Sequence, residues 1–404
     1  MDVKRYDVVV LGGGFAGVAA AVQAARDRLK VALIERTTLW GGMATSGLVT
    51  VYVPLDNGLG RQVTFGLAEE LMYRSMRYGP GRIPAKWIKP ELAAGLGDVA
   101  AENDDGPYMT CFAPHACVMA MDELLEEVSV AMWLDTLACL PLVDGKRITA
   151  VEVENKSGRI RIEGDFFVDA TGDADIASRA GAPCRETRLR PSMIALCPNV
   201  DTVRRAAEAE DLSPLRHWQS FGDNEFERGY EGDCPPLFGG CGRDVSRFVL
   251  ESRKVARQAI AARQRELGPR GRRQYYPLVT PSLPDIRMTR CIEGLEMLES
   301  DMVNRRVETS VGMIADNRKR GTVWEVPYGS LVPRGLENLY VAGRCSGANG
   351  YVWQVSRLIQ SVALTGQVAG AAAVLCVARK TTNATLDVAD VQKKLEGLGI
   401  ELHL

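Results

Sequence analysis

The chain opens on a short apolar run, Tyr6-Asp7-Val8-Val9-Val10-Leu11, whose β-branched residues suit a strand covered on both faces. Three glycines follow, and residues 18–28 then carry the alanine-rich pattern of a helix. Val31-Ala32-Leu33-Ile34 predicts a second buried strand, ended by Glu35. Further on, residues 122–130 predict the end of an amphipathic helix. Residues 131–142, 147–154 and 158–163 read as three strands with turns at Asp144-Gly145 and Lys156-Ser157-Gly158, a β-meander. Residues 166–169 predict a strand that runs into Ala170-Thr171-Gly172-Asp173. Residues 339–342 predict another, followed by a helix over about 356–378. Residues 277–284 are extended and interrupted by proline, and residues 386–404 read as a terminal helix.

At 404 residues the chain suggests two or three domains. Its 49 Lys+Arg against 51 Asp+Glu give a net charge of −2, which speaks against a global basic field for nucleic acid or an anionic membrane. Arginines and lysines do crowd between Arg243 and Arg273, with Ala and Val at helical spacing, and this reads as the solvated face of a helix. Residues 8–25 follow Lys4 and Arg5 and mimic a leader, but three glycines break them, so no secretory signal is expected. The apolar run 361–378 is rich in Ala and Gly and reads as a buried helix, not a membrane span.

Ten cysteines (111, 117, 139, 184, 197, 234, 241, 291, 345 and 376) include no C-x-x-C pair. That argues against zinc ribbons and ferredoxin-type clusters and fits reduced thiols of a cytoplasmic protein. Three scattered histidines, His115, His217 and His403, make no histidine-rich metal site, and no metal is expected.

The glycines after the first strand fit G-x-G-x-x-G: Gly12, Gly14 and Gly17, with Phe15 and Ala16 between the last two. Gly12 permits the tight turn, Gly14 lets backbone approach a pyrophosphate, and Gly17 lets helix and strand pack closely. The helix start offers free N–H groups to phosphates. Glu35 stands 18 residues past Gly17, where a carboxylate accepts hydrogen bonds from ribose hydroxyls and repels a 2′-phosphate. Arg36 and the turn Gly41-Gly42-Met43-Ala44-Thr45 extend the motif past the second strand. Asp173 and Asp175 have a second reading, as caps of the helix that begins near Ile176.

This E-R-x4-G-G-x-A-T run, with the blocks at 168–183, 285–294, 326–333, 338–345 and 365–370, resembles the FAD-dependent oxidoreductases related to fumarate reductase and succinate dehydrogenase flavoproteins. The resemblance spans almost the whole chain. It implies an α/β chain: a discontinuous glutathione-reductase-type Rossmann domain for FAD (1–50, 115–183, 334–385), an inserted α+β substrate or cap domain (51–114, 184–333) and a C-terminal helix (386–404). It further implies that Ala138, Ala170–Asp173, Gly343, Arg344, Arg357 and Leu358 lie near the cofactor. Arg357, near a helix start, would place positive charge at the flavin pyrimidine. Relatives carry a histidine where this chain has Gly350, an arginine where it has Gly329, and a second arginine where it has Cys291.

The remaining candidates for chemistry are Arg287, Arg290, Asn349 and Cys345, with Tyr328, Gly329, Gly350, Tyr351 and Trp353 as substrate-side residues. Arg287 and Arg290 either grip a substrate carboxylate or form structural ion pairs. Cys345 is either redox-active or packed, and His115 is either a base or tether, or an exposed residue. Two glycines in place of large polar residues predict an enlarged, apolar pocket and a bulky substrate. The expected activity is hydride transfer between flavin N5 and a small or medium organic substrate, with a separate electron donor or acceptor and a homodimeric assembly. The rivals are a flavin monooxygenase and a flavoprotein electron-transfer subunit. A halogenase is disfavoured, because G-W-x-W-x-I-P is absent and Trp324-Glu325-Val326-Pro327 is only a faint echo of it.

Overall fold

In a computed structural model, the described residues are 3–101, 105–188, 192–196, 199–209, 216–220 and 237–404. Cys197, Cys234 and the side chain of His217 lie outside them.

Strand β1 (Val3–Leu11) leads into helix α1 (Phe15–Arg26) and strand β2 (Val31–Ile34), which pairs with β1 in parallel, Val8 opposite Val31 and Leu11 opposite Ile34. This is the order that the apolar pattern predicts, with the helix starting three residues earlier, at Phe15. Both strands are buried from Val8 onward, as β-branched residues between two layers should be. After the first inserted segment, α2 (Pro114–Glu127) returns the chain to the sheet, and β3 (Ala131–Trp133) lies parallel to β2.

The meander differs from expectation in two places. The run 131–142 is two strands, because β4 (Leu137–Asp144) begins after a break in which Asp135 adopts φ +49°. There the N–H groups of Asp135 and Thr136 donate to the carbonyls of Thr37 and Glu35 just past β2, outside the regular strand register. Strand β5 (Arg147–Asn155) follows. Residues 158–163 and 166–169 then form one strand, β6 (Gly158–Asp169). Gly164 keeps this long strand against β1, since an added Cβ would stand 2.8 Å from Val9 Cγ2. Strand β6 pairs with β1 in parallel along its length and antiparallel to β5 over its first half. Its last residues pair in parallel with β7 (Leu339–Val341). The central sheet therefore runs β3-β2-β1-β6, with the free edge of β6 divided between β5 and β7.

A short helix, α3 (Asp175–Arg179), follows β6. A long one, α4 (Gly242–Glu266), lies in the second inserted segment. The expected helix at 356–378 is interrupted. Val352–Ser356 is a separate turn, Leu358 is extended (ψ 153°), and α5 runs from Ile359 to Arg379. Helix α5 is long and apolar enough to cross a membrane, yet 72% of that stretch is buried inside the protein. It lies against α1, where a Cβ on Gly366 would overlap Ala16 O and one on Gly370 would overlap Ala20 O. Helix α6 (Val388–Gly397) ends ahead of Gly399 (φ +78°), so the last residues are not helical. They are held instead by Ser310 Oγ donating to Leu402 O (2.6 Å) and by Glu325 accepting from Leu404 N (3.1 Å).

The described parts of the inserted segments make helices and two-stranded pairs only. Val311, Ile314, Trp324 and Tyr328 join the same apolar cluster as α1 and α5, while Leu237, Phe248 and Ile286 form a small cluster of their own. The segment around 310–328 is thus part of the main core and not of a detached domain.

Candidate cofactor and active site

Strands β1, β2, β6 and β7 end on the same side of the sheet. Helix α1 carries the chain from β1 to β2, while β6 and β7 lie on the other side of β1. Crevices at such a switch point bind ligands. A cavity of about 370 Å³ opens there. It brings together most of the residues expected at the cofactor: Gly12, Gly14, Phe15, Ala16, Glu35, Arg36, Gly41–Ala44, Ala170–Asp173, Gly343, Arg344 and Arg357.

The glycines have different physical reasons. Gly12 has φ +103°, and a Cβ there would overlap the Ala170 carbonyl. A Cβ on Gly17 would overlap Gly12 O, so this glycine sets the approach of α1 to the turn. Gly14 is at an ordinary φ of −69°, and an added Cβ meets nothing within 4 Å. The chain itself tolerates a side chain at Gly14, and the space it would take belongs to the cavity. Gly42 faces it, a Cβ there lying 3.2 Å from Gly14 Cα, and Gly41 N donates to Gly13 O (2.8 Å). Helix α1 has no side-chain cap, so its first N–H groups remain for an anion. Backbone glycines, an uncapped helix start and a carboxylate past β2 fit the pyrophosphate and ribose of FAD.

Glu35 is 6% exposed. Its Oε2 accepts from Gly13 N (2.7 Å), and its Oε1 accepts from Thr37 N (2.8 Å) and Thr37 Oγ1 (2.9 Å). A carboxylate has about four acceptor sites, so room for a further donor remains. Arg36 is exposed at the same end.

Across the cavity, Arg344 Nη2 donates to Asp173 Oδ1 (2.6 Å) and Nε donates to Gly172 O (2.6 Å), while Thr289 Oγ1 donates to Asp173 Oδ1 (2.7 Å). Burial alone pushes the Asp173 carboxyl up. The Arg344 charge and the two donated hydrogen bonds outweigh it and hold the carboxyl below its ordinary value. Asp173 and Asp175 do not cap α3. Its cap residue is Ala174 in a left-handed conformation, and Asp169 Oδ2 accepts from Ile176 N (2.9 Å) and Ala177 N (2.8 Å). The sequence does not mark Asp169 for this role, because its partners are backbone N–H groups seven and eight residues further on, set by the fold of the turn.

Four residues expected at the cofactor lie outside the cavity lining: Gly17, Thr45, Ala138 and Leu358. Thr45 Oγ1 donates to Trp40 O and braces the Gly41–Ala44 turn. Ala138 sits on β4, where its carbonyl accepts from Arg179 Nη1 (3.3 Å). Leu358 is the extended residue ahead of α5.

None of the expected catalytic or substrate-side residues lines the cavity either. Arg287 faces Asp285 (3.5 Å) and Arg290 faces Asp175 (3.5 Å), so the two cations do not form one fork. Cys345 is fully buried, its thiol pushed far up by burial, and it donates to Ala342 O (3.6 Å). Asn349 and His115 are exposed. Tyr328 Oη donates to Asn383 O (2.8 Å), which leaves Tyr340 Oη to donate to Tyr328 (2.7 Å). Tyr351 Oη donates to Asp316 Oδ2 (2.5 Å), and Trp353 Nε1 donates to Arg344 O (2.7 Å). Trp353 therefore braces the backbone of a cavity residue.

The two glycines do not enlarge the pocket. A Cβ on Gly329 would stand 2.8 Å from Glu296 Cγ, and Gly350 sits at φ +64° with Ser300 Oγ 2.7 Å from an added Cβ. Turn geometry and packing account for both. The apolar wall is built by residues that pattern reading missed: Val245 of α4, Leu283, Pro284, Ile286, and Ile359 and Val362 of α5. Ser282 N and Leu283 N both donate to Ser46 O (2.9 and 3.2 Å), which fastens the proline-rich stretch against the Gly41–Thr45 turn. Its only mark in the sequence was that prolines there could not continue a strand.

Many solved structures resemble the chain, three of them as follows, at low identity. A geranylgeranyl bacteriochlorophyll reductase-like protein from Thermoplasma acidophilum has a TM-score of 0.46 and 11% identity, over 99% of this chain and 93% of that one. The p-nitrophenol 4-monooxygenase of Pseudomonas putida DLL-E4 has 0.48 and 14%, over 98% and 86%. The myxobacterial chondrochloren halogenase has 0.46 and 14%, over 97% and 78%. A search of curated proteins by sequence found no match. A sequence model of the FAD dependent oxidoreductase family matches residues 7–230 and 234–395, nearly the whole length, and the chain belongs to that family of FAD enzymes.

Proposed function

We propose that this enzyme transfers a hydride between flavin N5 and a small or medium organic substrate with a bulky apolar part. FAD, when bound, supplies the two-electron acceptor or donor. The observation that carries the reading is the cavity at the switch point, polar at the Glu35 end and apolar along Val245, Leu283, Pro284 and Ile286. Glu35 holds the ribose, the Gly12–Gly14 and Gly41–Gly42 turns hold the pyrophosphate, and Arg357 adds positive charge ahead of α5.

Glu35 and Asp173, the carboxylates on the cavity among the described residues, are both engaged in holding the chain. The proton that accompanies the hydride therefore passes to water or to a group on the substrate. In this reading residues 1–50, 115–183 and 334–385 carry the cofactor, and the inserted segments cover its reactive end. Seven of the described cysteines, 117, 139, 184, 241, 291, 345 and 376, are free thiols, which supports a cytoplasmic setting.

The test is anaerobic. Purified protein should be yellow, with bands at about 370 and 450 nm. A panel of apolar alcohols, amines and saturated carbonyl compounds should include one that bleaches the longer band without oxygen. If the flavin is reduced only by a nicotinamide nucleotide, and the organic substrate is consumed only with oxygen, the enzyme is a monooxygenase and the hydride reading fails.

A further inference from the structure

The net charge of −2 hides a strong segregation. Between Arg243 and Arg273 stand ten Lys or Arg and three Asp or Glu. The helix α4 contains most of them and is 25 residues long, about 37 Å at 1.5 Å per residue. Its buried face is Phe248, Ser252 and Ala256, spaced by four. On the opposite side, at spacings of three, four, seven and eight, Arg243, Arg247, Leu250, Lys254, Arg257 and Arg265 form one exposed stripe from end to end.

A solvated helix face ordinarily mixes signs, since opposite charges at i,i+4 stabilise it and like charges destabilise it. This stripe carries a single sign. Arg243 stands four residues before Arg247, and Arg253 four before Arg257. Only Lys254 of the stripe has an ion pair, with Glu251 (3.6 Å). Arg243, Arg247, Arg257 and Arg265 have none among the described residues. Such an arrangement opposes its own helix and calls for an anionic surface to offset it. Leu250, in the middle of the stripe, is 63% exposed, and Tyr276 and Leu278 beyond the helix are 45% and 53% exposed. Apolar side chains among cations gain from the headgroup boundary of a bilayer and gain little from a phosphate backbone in water.

We propose that the α4 stripe docks the protein on an anionic lipid surface. Docking there holds the cofactor cavity behind α4, on the side of the helix away from the lipid, because Val245 on its inner face and the Ser282–Ile286 stretch after Leu278 line it. The surface attraction is electrostatic with a small apolar contribution, so the binding is peripheral and reversible by salt.

Vesicle sedimentation tests this without any need for turnover. The FAD-loaded protein is mixed with phosphatidylcholine vesicles, with or without phosphatidylglycerol. Binding to the anionic vesicles should exceed binding to the neutral ones by at least about tenfold at low salt and largely vanish at high salt. An Arg247→Glu/Arg257→Glu variant should lose at least about tenfold, while its flavin content and melting temperature stay unchanged. Leu250→Ser should weaken binding and leave its salt dependence in place. Equal binding to neutral vesicles, or undiminished binding by the double variant, overturns the proposal. So does tighter binding to a short single-stranded RNA with the same sensitivity to the double variant, which would assign the stripe to nucleic acid.

Discussion

Arg344 and Asp173 meet at 2.6 Å and tie the end of β7 to the end of β6 across the mouth of the cofactor cavity. Both side chains are 17% exposed, so the pair is largely out of water and each charge depends on the other. Removing one partner leaves an uncompensated charge. Asp173→Asn should therefore lower stability by about 3 kcal/mol in urea unfolding. The sign with pH follows from the carboxyl being held below its ordinary value. Its contribution is complete above about pH 4, the unfolded carboxyl's value, and is lost as the pH falls through the lower folded value. The variant should lack that part of the acid loss. An unchanged acid limb would show that Asp173 does not carry it.

Two glycines of one motif should respond in opposite ways. Gly12→Ala puts a side chain at φ +103° against the Ala170 carbonyl, and the protein should be strongly destabilised or fail to fold. Gly14→Ala adds a Cβ that meets no atom of the chain, so the melting temperature of the apoprotein should stay within a few degrees. FAD affinity should nevertheless fall by about tenfold or more, since the new methyl takes cofactor space. Fluorescence titration of apoprotein with FAD reads the difference, and full affinity in Gly14→Ala would remove the phosphate cradle from this place.

Glu35 has two duties that a single truncation confuses. Glu35→Ala would leave the buried Gly13 N–H without its acceptor as well as removing the ribose contact. Glu35→Gln keeps an acceptor for Gly13 and discards the charge, while its amide NH2 replaces the oxygen that accepts from Thr37 N. It should weaken FAD by about tenfold to a hundredfold, in line with about 1.5–3 kcal/mol for hydrogen bonds to a charged group. A Gln variant with full affinity would leave Glu35 as a purely structural residue.

Cys345 should be chemically silent in the folded protein. Its thiol is fully buried, and burial pushes its pKa far above the ordinary range, so almost no thiolate forms at neutral pH. Iodoacetamide followed by peptide mass mapping should leave it unmodified in buffer and modify it in denaturant. Rapid labelling of the native enzyme would restore it as a redox candidate.

Gly366→Ala tests the seam between α1 and α5. The added methyl would overlap Ala16 O, and backbone cannot yield as a flexible side chain does. Thermal unfolding should show a loss of about 3 kcal/mol or more. A variant as stable as the parent would mean that the two helices can part without cost.

The strand–glycine–helix–strand unit from Tyr6 to Glu35 was legible because every signal in it is local: a β-branched run, glycines at fixed offsets, an alanine-rich helix and an acid at a strand end. The Gly41–Ala44 turn, Ala170–Asp173 and Gly343–Arg344 were expected beside this unit from the family resemblance, and the structure gathers them around the same cavity. Tertiary structure alone decided the rest. Whether residues 158–169 made one strand or two depended on β1, β5 and β7 sharing its edges. The apolar wall came from Val245 and Leu283–Ile286, two segments distant from the motifs and from each other in the chain. The sequence makes Tyr328, Gly329 and Gly350 substrate-side candidates and leaves Cys345 either redox-active or packed. Their neighbours Glu296, Ser300, Asn383 and Ala342 show them bearing packing and turns instead. Strand and helix signals are written in neighbouring residues, whereas the direction a side chain faces is set largely by contacts between segments tens of residues or more apart, which no local pattern encodes.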